Sequence, residues 1–275
     1  MALGRHGYGK SEVRVVKVTR TPGRHVLRDL TVDVALEGDF AAAHTSGDNS
    51  ALIATDTMRN GVYALARTHP IDSLESFGAA LVEHFLRAGP TVTRVRIDVA
   101  EHPWERLGDH EHAFQRGHGG KRIATVRGDG SATTYEAGID DLLVLKTTGS
   151  GWEGFVRDEY TTLPETDDRI LATIVAARWS YGSAPQERAW AAVRDALLDA
   201  FADHYSPSVQ FTLNRMGEAV LERHPEVQRI HLSLPNRHHL LFDLQRFGLD
   251  NPNVVFHATT EPYGLIEGTI ERDAE

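Results

Sequence analysis

The sequence predicts an α+β protein of two similar halves, each with an antiparallel sheet and two helices on one face. Three observations indicate this. Several stretches alternate strictly between apolar and polar residues, as half-buried strands do. Four other stretches have apolar residues at helical spacing, and the order strand, strand, helix, helix, strand, strand occurs twice. Because such duplication is typical of tandem architectures, we predict two domains, residues 1–133 and 134–275.

The first half begins with two alternating stretches, Glu12–Arg20 and His25–Leu36, which a Thr-Pro-Gly turn separates; this predicts an antiparallel hairpin. A helix follows, and then a second one whose N-cap is Asp72 or Ser73 and which ends at Gly89. The predicted elements of this half are strands within 12–20 and 25–36, helices within 56–70 and 72–89, and strands within 91–104 and 121–130.

The second half repeats this order. Its first helix is expected to begin near Pro185, and its second helix to have Ser206 or Ser208 as N-cap. Residues 227–244 are a strand pair or one long interrupted strand, since Asn-Arg-His-His breaks the alternation. The predicted elements are strands within 133–149 and 168–181, helices within 184–205 and 206–226, and strands within 227–244 and 253–270.

The edge strands of the predicted sheets indicate that the protein forms an oligomer. An open four-stranded sheet exposes unpaired edges that promote aggregation, and closing several copies into a ring removes them. We therefore predict an oligomeric β-barrel with helices on its outer face.

Composition excludes several classes of protein. Among 275 residues there is no cysteine, which excludes disulfides, thiolate metal sites and cysteine nucleophiles. A formal net charge of -10 disfavours nucleic acid as a partner. No apolar run approaches the roughly 20 residues that span a bilayer, so no membrane partner is expected. The first residues lack an apolar segment and the last ones, ERDAE, are no peroxisomal tripeptide, so the cytoplasm is the expected location.

Five short segments place polar residues at the ends of apolar elements. The segments are YGKSEVRV (Tyr8–Val15), IATDTMRN (Ile53–Asn60), GWEGFVRDEYTTLPETDDRIL (Gly151–Leu171), SPSVQ (Ser206–Gln210) and LPNRHH (Leu234–His239). Together they resemble the urate oxidase (uricase) family, whose fold is the tunnelling fold (T-fold). The resemblance covers nearly the whole chain, from Tyr8 to about Thr269. It implies tandem T-fold domains that close into an oligomeric barrel.

The resemblance implies catalytic roles for Lys10, Thr55 and His238 as a proton relay. Urate must lose a proton before it gives up an electron. A lysine amine in an apolar or cationic environment can accept a proton, a threonine hydroxyl can donate and accept at once, and an imidazole titrates near neutral pH. Without the resemblance, Lys10 is a solvated lysine at the start of a strand.

Arg169 and Gln210 are the expected binding pair for the substrate. Urate is a planar anion with carbonyls beside ring nitrogens, so a guanidinium matches one edge with two parallel hydrogen bonds. A glutamine amide offers a donor and an acceptor to the other edge. Alone, each residue is interpreted more simply, as a surface arginine among acids and as a solvent-facing residue at the start of a helix.

Trp152 departs from the family, in which phenylalanine stacks on the purine. A tryptophan ring should also stack; if the local alignment shifts, Phe155 takes this role. The resemblance implies an apolar wall from Leu163, a backbone contact from Val209, and a backbone N–H contact to the purine from Asp56. It places Asn236 above the substrate plane, where oxygen or water binds.

Four histidines are interpreted as structural or solvated. His239 should point to the opposite face of a strand from His238. His110 and His112 share a strand face, as zinc ligands can, but with His118 they lie in a polar stretch without a convincing third ligand.

The sequence thus predicts cofactor-free oxidation of urate by O₂ to 5-hydroxyisourate and hydrogen peroxide. There is no dinucleotide, haem or thiolate motif. The family expectation is a homotetramer with its active sites at subunit interfaces, Thr55 and Asp56 coming from the neighbour of the chain that carries Arg169 and Gln210. Two alternatives stay open: a zinc-dependent pterin synthase or cyclohydrolase of the same fold, and a non-catalytic purine-binding T-fold protein.

Overall fold

The structure, a computed structural model, describes residues 2–186 and 188–273. The chain forms two compact units, which are described separately. Unit 1 comprises residues 1–139 and 179–190, and unit 2 comprises residues 140–178 and 191–275. The sequence-based domain boundary at residues 133 and 134 stays a prediction.

Unit 1 contains an antiparallel sheet covered by helices. Its elements are β1 (Tyr8–Thr21), β2 (Arg24–Gly38), α1 (Ala41–Thr45), α2 (Thr55–Thr68), α3 (Leu74–Ala88), β3 (Val92–Glu101), β4 (Trp104–Arg106), β5 (Phe114–Arg116), β6 (Lys121–Gly128) and the first part of β7 (Thr133–Lys146). The sheet has the order β1-β2-β3-β6-β7. The first three neighbours pair antiparallel, and β1–β2 is the predicted hairpin.

The helices of unit 1 pack on its sheet through one apolar face each. Ser73 caps α3: its side chain accepts from the N–H of Ser76, whose hydroxyl lies near the Ser73 N–H in return. This confirms one of the two predicted caps. Phe77, Leu81 and Phe85 then recur at helical spacing and are fully buried. α2 contacts β1, and α3 contacts β3 and β6, so the core lies between sheet and helices.

Unit 2 follows a similar plan. Its elements are the rest of β7, β8 (Leu171–Tyr181), α4 (Ala189–Ala202), α5 (Val209–Arg223), β9 (Val227–Pro235), β10 (His239–Leu241), β11 (Phe256–Ala258) and β12 (Leu265–Glu271), with a 3₁₀ turn at Gln245–Phe247. The last residues of β8 and the first two of α4 belong to unit 1. The strand order is β7-β8-β9-β12, and α5 packs on β9 and β12.

The structure differs from the sequence-based elements in four places. The helix expected near Pro185 begins at Ala189. α1 and the two-stranded β4–β5 sheet were not predicted. Residues 227–244 form two strands in different sheets, because β9 ends at Pro235 and β10 pairs with β11. In the described part of the chain, no helix is both long and apolar enough to cross a bilayer.

Candidate active site

A cavity of about 520 Å³ lies within unit 2, a size typical of small-molecule sites. Its walls come from the 152–170 segment, the start of α5, the turn after β9 and the β10–β11 ribbon. Seven of the residues singled out from the sequence line it: Trp152, Leu163, Arg169, Val209, Gln210, Asn236 and His238.

Arg169 brings an unpartnered guanidinium to this cavity. Its Nε atom is buried without a hydrogen-bond partner among the described residues, and none of the ion pairs found there includes it. Burial lowers the pKa of Arg169 below its ordinary value, and the nearby Tyr205 hydroxyl raises this pKa in part. Because a half-buried cation is costly unless it is paired, the arrangement favours an anionic ligand.

Gln210 and Val209 lie at the start of α5, where Ser208 is the N-cap and its hydroxyl accepts from the N–H of Phe211. Val209 is 3% exposed and anchors the helix, whereas the Gln210 side chain is exposed and has no hydrogen bond to a described residue. Since the first N–H groups of a helix lack intrahelical partners, this helix end offers donors beside the Gln210 amide.

Of the two aromatic residues considered for stacking, Trp152 lines the cavity and Phe155 does not. The two rings stack on each other, with centroids 5.6 Å apart and planes 10° apart. The Arg169 guanidinium carbon lies 5.9 Å from the centre of the Trp152 ring. Main-chain hydrogen bonds in both directions between Trp152 and Thr166 hold the aromatic segment against the irregular segment that leads to Arg169.

Asn236 and His238 lie in the turn between β9 and β10. The Asn236 N–H donates to the carbonyl of Gly264, and its side-chain amide bonds to no described residue. The prediction for His239 was wrong: it lines the cavity together with His238. Strand alternation does not apply here, because the regular strand ends at Pro235 and His239 already belongs to another sheet.

Lys10 belongs to unit 1, at an irregularity in the β1–β2 ladder. Lys10 pairs with Val34, and the register then shifts before Val13. Glu12 has φ of 59°, and its N–H donates 2.6 Å to Asp33 Oδ1. Such a bulge re-aims side chains and is common at functional sites. The Lys10 ammonium makes no hydrogen bond to a described residue.

Thr55 and Asp56 open helix α2 of unit 1. Ala54, the N-cap, has no capping side chain, so the N–H groups of Thr55 and Asp56 have no partner among the described residues. The Asp56 carboxylate pairs with Arg59 at 2.7 Å and accepts from Asn60 at 3.0 Å. Its side chain is therefore engaged, which leaves its N–H for a ligand, as the family resemblance implies.

Several cavity residues were missed from the sequence. Apolar walls come from Ile170, Leu240, Leu241, Phe256 and Ile266. The run Leu240–Phe242 after the two histidines was a usable signal, whereas nothing local marks Phe256 or Ile266. Within residues 2–186 and 188–273, which include His110, His112 and His118, no group of three or more His, Cys, Asp or Glu side chains is arranged to hold a metal ion.

Comparison with known proteins gives consistent results. The model of the Uricase family matches residues 6–127 and 135–267. The uricase of Arthrobacter globiformis is 50% identical over 99% of this chain and 91% of its own length, and that of Dictyostelium discoideum is 40% identical over 96% of both. The crystal structure of the Arthrobacter globiformis uricase covers 100% of this chain and 96% of its own, with a TM-score of 0.96.

A more distant likeness concerns the fold alone. A hyperthermostable variant of the urate oxidase from Bacillus sp. TB-90 is 22% identical, covers 97% of this chain and 99% of its own, and has a TM-score of 0.83. The predicted fold class, α+β with the T-fold, is confirmed, while closure into an oligomeric barrel stays a prediction. By the family model and by identity over nearly its full length, the chain belongs to the uricase family.

Proposed function

We propose that this protein oxidises urate with O₂ and without a cofactor. Urate, O₂ and water give 5-hydroxyisourate and hydrogen peroxide: two electrons leave the purine for O₂, and water adds to the oxidised ring. The observation that carries the proposal is one cavity of suitable size that is lined by Arg169, Gln210 and Trp152, in which the Arg169 guanidinium has no hydrogen-bond partner among the described residues.

The chemistry follows from what this site offers a planar anion. Arg169 pairs with one edge of urate and Gln210 with the other, while Trp152 stacks on the ring. Urate deprotonated at a further position is electron-rich enough to reduce O₂ directly. The protein therefore contributes position, proton transfer and electrostatics. Asn236, whose amide has no partner among the described residues, holds O₂, water or peroxide above the ring.

The proton relay and the assembly complete the proposal. Lys10, Thr55 and His238 remove the protons of urate, and Asp56 contacts the purine through its N–H. We propose a homotetramer whose sites are shared between subunits. It is supported by the unpartnered donors of Lys10, Thr55 and Asp56, and by exposed apolar residues on β7 that a partner would cover, Leu143 at 63% and Leu145 at 46%.

The test is a coupled measurement on the purified protein. Loss of urate absorbance and release of hydrogen peroxide are followed together, with and without a chelator. We expect one peroxide for each urate, at a rate that chelation does not change. Absence of peroxide in the presence of folded protein, urate and oxygen would refute the proposal, as would strict dependence on an added metal.

A further inference from the structure

A largely buried chain of hydrogen bonds lies next to the segments that carry the proposed binding pair. His204 Nδ1 lies 2.7 Å from the carbonyl oxygen of Ala200, and its Nε2 lies 2.9 Å from Thr212 Oγ1. Thr212 donates 2.7 Å to Ser206 Oγ, and Ser206 donates 3.0 Å to the carbonyl of Ser208. Thr212 and Ser206 are fully buried.

The middle of this chain is linked to Arg169 through main-chain hydrogen bonds. The N–H of Ser206 donates to Gly149 O, and Ser206 O accepts from the N–H of Gly151, each at 2.8 Å. Between these glycines, Ser150 O accepts from the N–H of Arg169 at 2.8 Å. Ser206 therefore holds the segment to which Arg169 is bonded.

The other end of the chain reaches Gln210. Ser208 is the N-cap of α5, and Gln210 is the second residue of that helix. Thr212 lies one turn further along the helix, so His204 is bonded to α5 and, through Thr212, to Ser206. We propose that His204 is a positioning residue for Arg169 and Gln210, acting through Thr212 and Ser206 to set the distance between the two.

Counting hydrogens shows that this positioning depends on a proton. The chain has four contacts and ends at both sides in a carbonyl, which can only accept. A neutral imidazole and two hydroxyls supply three hydrogens, whereas an imidazolium and two hydroxyls supply four. In the neutral state, therefore, one of the four contacts lacks a hydrogen.

The groups around His204 oppose its protonation on balance. Burial lowers the pKa of His204 below its ordinary value; the Ala200 carbonyl opposes this shift, Lys146 and Arg215 add to it, and Asp203 opposes it. Lys146 is on β7 and donates to the carbonyl of His204 itself. The neutral state thus predominates at neutral pH, and the fourth bond forms only in acid.

Four variants test the role of the chain. His204→Leu and Thr212→Val each break the chain of hydrogen bonds. We expect each substitution to raise the KM for urate by about three- to tenfold, which corresponds to the loss of one or two hydrogen bonds. The Kd for xanthine, a purine that lacks the 8-oxo group of urate, should rise by the same factor. Because the pair holds substrate and transition state alike, kcat should change little. The double variant should raise KM and Kd no further than the single variants do, because both break the same chain.

His231→Leu is the matched control, since His231 makes a similar imidazole–hydroxyl contact with Thr269 outside the cavity.

The pH profile separates positioning from a purely structural role. His204→Gln keeps a polar side chain without titrating, so it should restore part of the affinity. The ratio of its xanthine Kd to that of the unaltered protein should rise about threefold from pH 8 to pH 5, as the fourth bond forms only with histidine. His238 is present in both proteins, and both bind the same ligand. Any effect of pH on His238 or on xanthine itself is therefore equal in the two proteins and cancels in the ratio.

Two results would overturn the inference. One is unchanged xanthine affinity in folded His204→Leu and Thr212→Val proteins, with folding checked by circular dichroism. The other is a ratio independent of pH, which would make the chain a structural element only. The inference rests on the proposed function for its choice of ligand, yet it fails separately: a protein that binds xanthine but releases no peroxide refutes urate oxidation and still permits this test.

Discussion

The main-chain N–H of Arg169 donates a 2.8 Å hydrogen bond to the carbonyl of Ser150, two residues before the aromatic side chain that shares its cavity. The guanidinium and the indole are therefore attached to two backbone segments that hold each other. A planar ligand between them meets a face and an edge whose relative position is set before it binds, which lowers the entropic cost of binding.

The first prediction concerns the planar pair of hydrogen-bond donors at position 169. Arg169→Lys keeps a cation but loses the planar pair of donors. With hydrogen bonds to charged groups worth about 1.5–3 kcal/mol each, we expect kcat/KM for urate to fall about 100-fold or more. Steady-state kinetics check this, and Arg229→Lys, an exposed arginine of β9 outside the cavity, should be unaffected. A loss below threefold would show that Arg169 does not bind urate.

The second prediction concerns the aromatic face. Trp152→Phe introduces the residue that the family resemblance implies here and should leave KM within about threefold. Trp152→Ala should raise KM about tenfold, since a stacked pair is worth up to 1.5 kcal/mol. Binding of xanthine, followed by calorimetry, measures the same change without turnover. Equal effects of the two substitutions would mean that the ring does not stack on the ligand.

A third prediction tests why glycine precedes Lys10. A Cβ on Gly9 would lie 1.9 Å from the carbonyl oxygen of Val34, which is backbone of the paired strand. Gly9→Ala must therefore spread β1 from β2, and we expect it to lower the free energy of unfolding by about 1–3 kcal/mol. Gly4→Ala is the control, since nothing lies within 4 Å of its Cβ position. Denaturant titration compares the two; equal stabilities would contradict the close approach.

Sequence patterns predicted the long elements well, for physical reasons that lie within each segment. The α3 helix carries its own cap at Ser73 and its own apolar stripe, so its start could be predicted without the rest of the chain. α1 has no buried residue and no side-chain cap, and β4 and β5 have three residues each. Such short elements depend on contacts that no local pattern shows.

The residues of the candidate site could not be brought together from local sequence patterns alone. Arg169 follows two aspartates, and Gln210 follows a helix cap; the spacing of 41 residues between them says nothing of a shared cavity. Family resemblance supplied the pairing, and the structure shows that both line one cavity. His239 was misjudged because the strand rule was applied across Pro235, where the strand stops.

A fourth prediction tests the proton relay. Lys10→Met removes the amine but keeps the length of the side chain, so urate should still bind between Arg169 and Gln210. Loss of a proton-transferring group costs about 10²- to 10⁴-fold, and we expect kcat to fall by that amount with little change in the Kd for xanthine. Rapid-mixing and equilibrium binding experiments separate the two effects. Unchanged turnover would remove Lys10 from the relay.

The last prediction tests whether the site is shared between subunits. Thr55→Ala and Arg169→Ala proteins should each be nearly inactive, because each lacks a group on one side of the site. After dissociation and reassembly as an equal mixture, a site formed by two different subunits can receive Thr55 from one variant and Arg169 from the other. Random assortment then restores about one quarter of the sites. Peroxide release measures the recovery, with mass spectrometry of differently tagged subunits to verify exchange. If both residues of a site come from the same chain, every site in the mixture lacks either Thr55 or Arg169. Activity then stays at the level of the separate variants, however completely the subunits exchange.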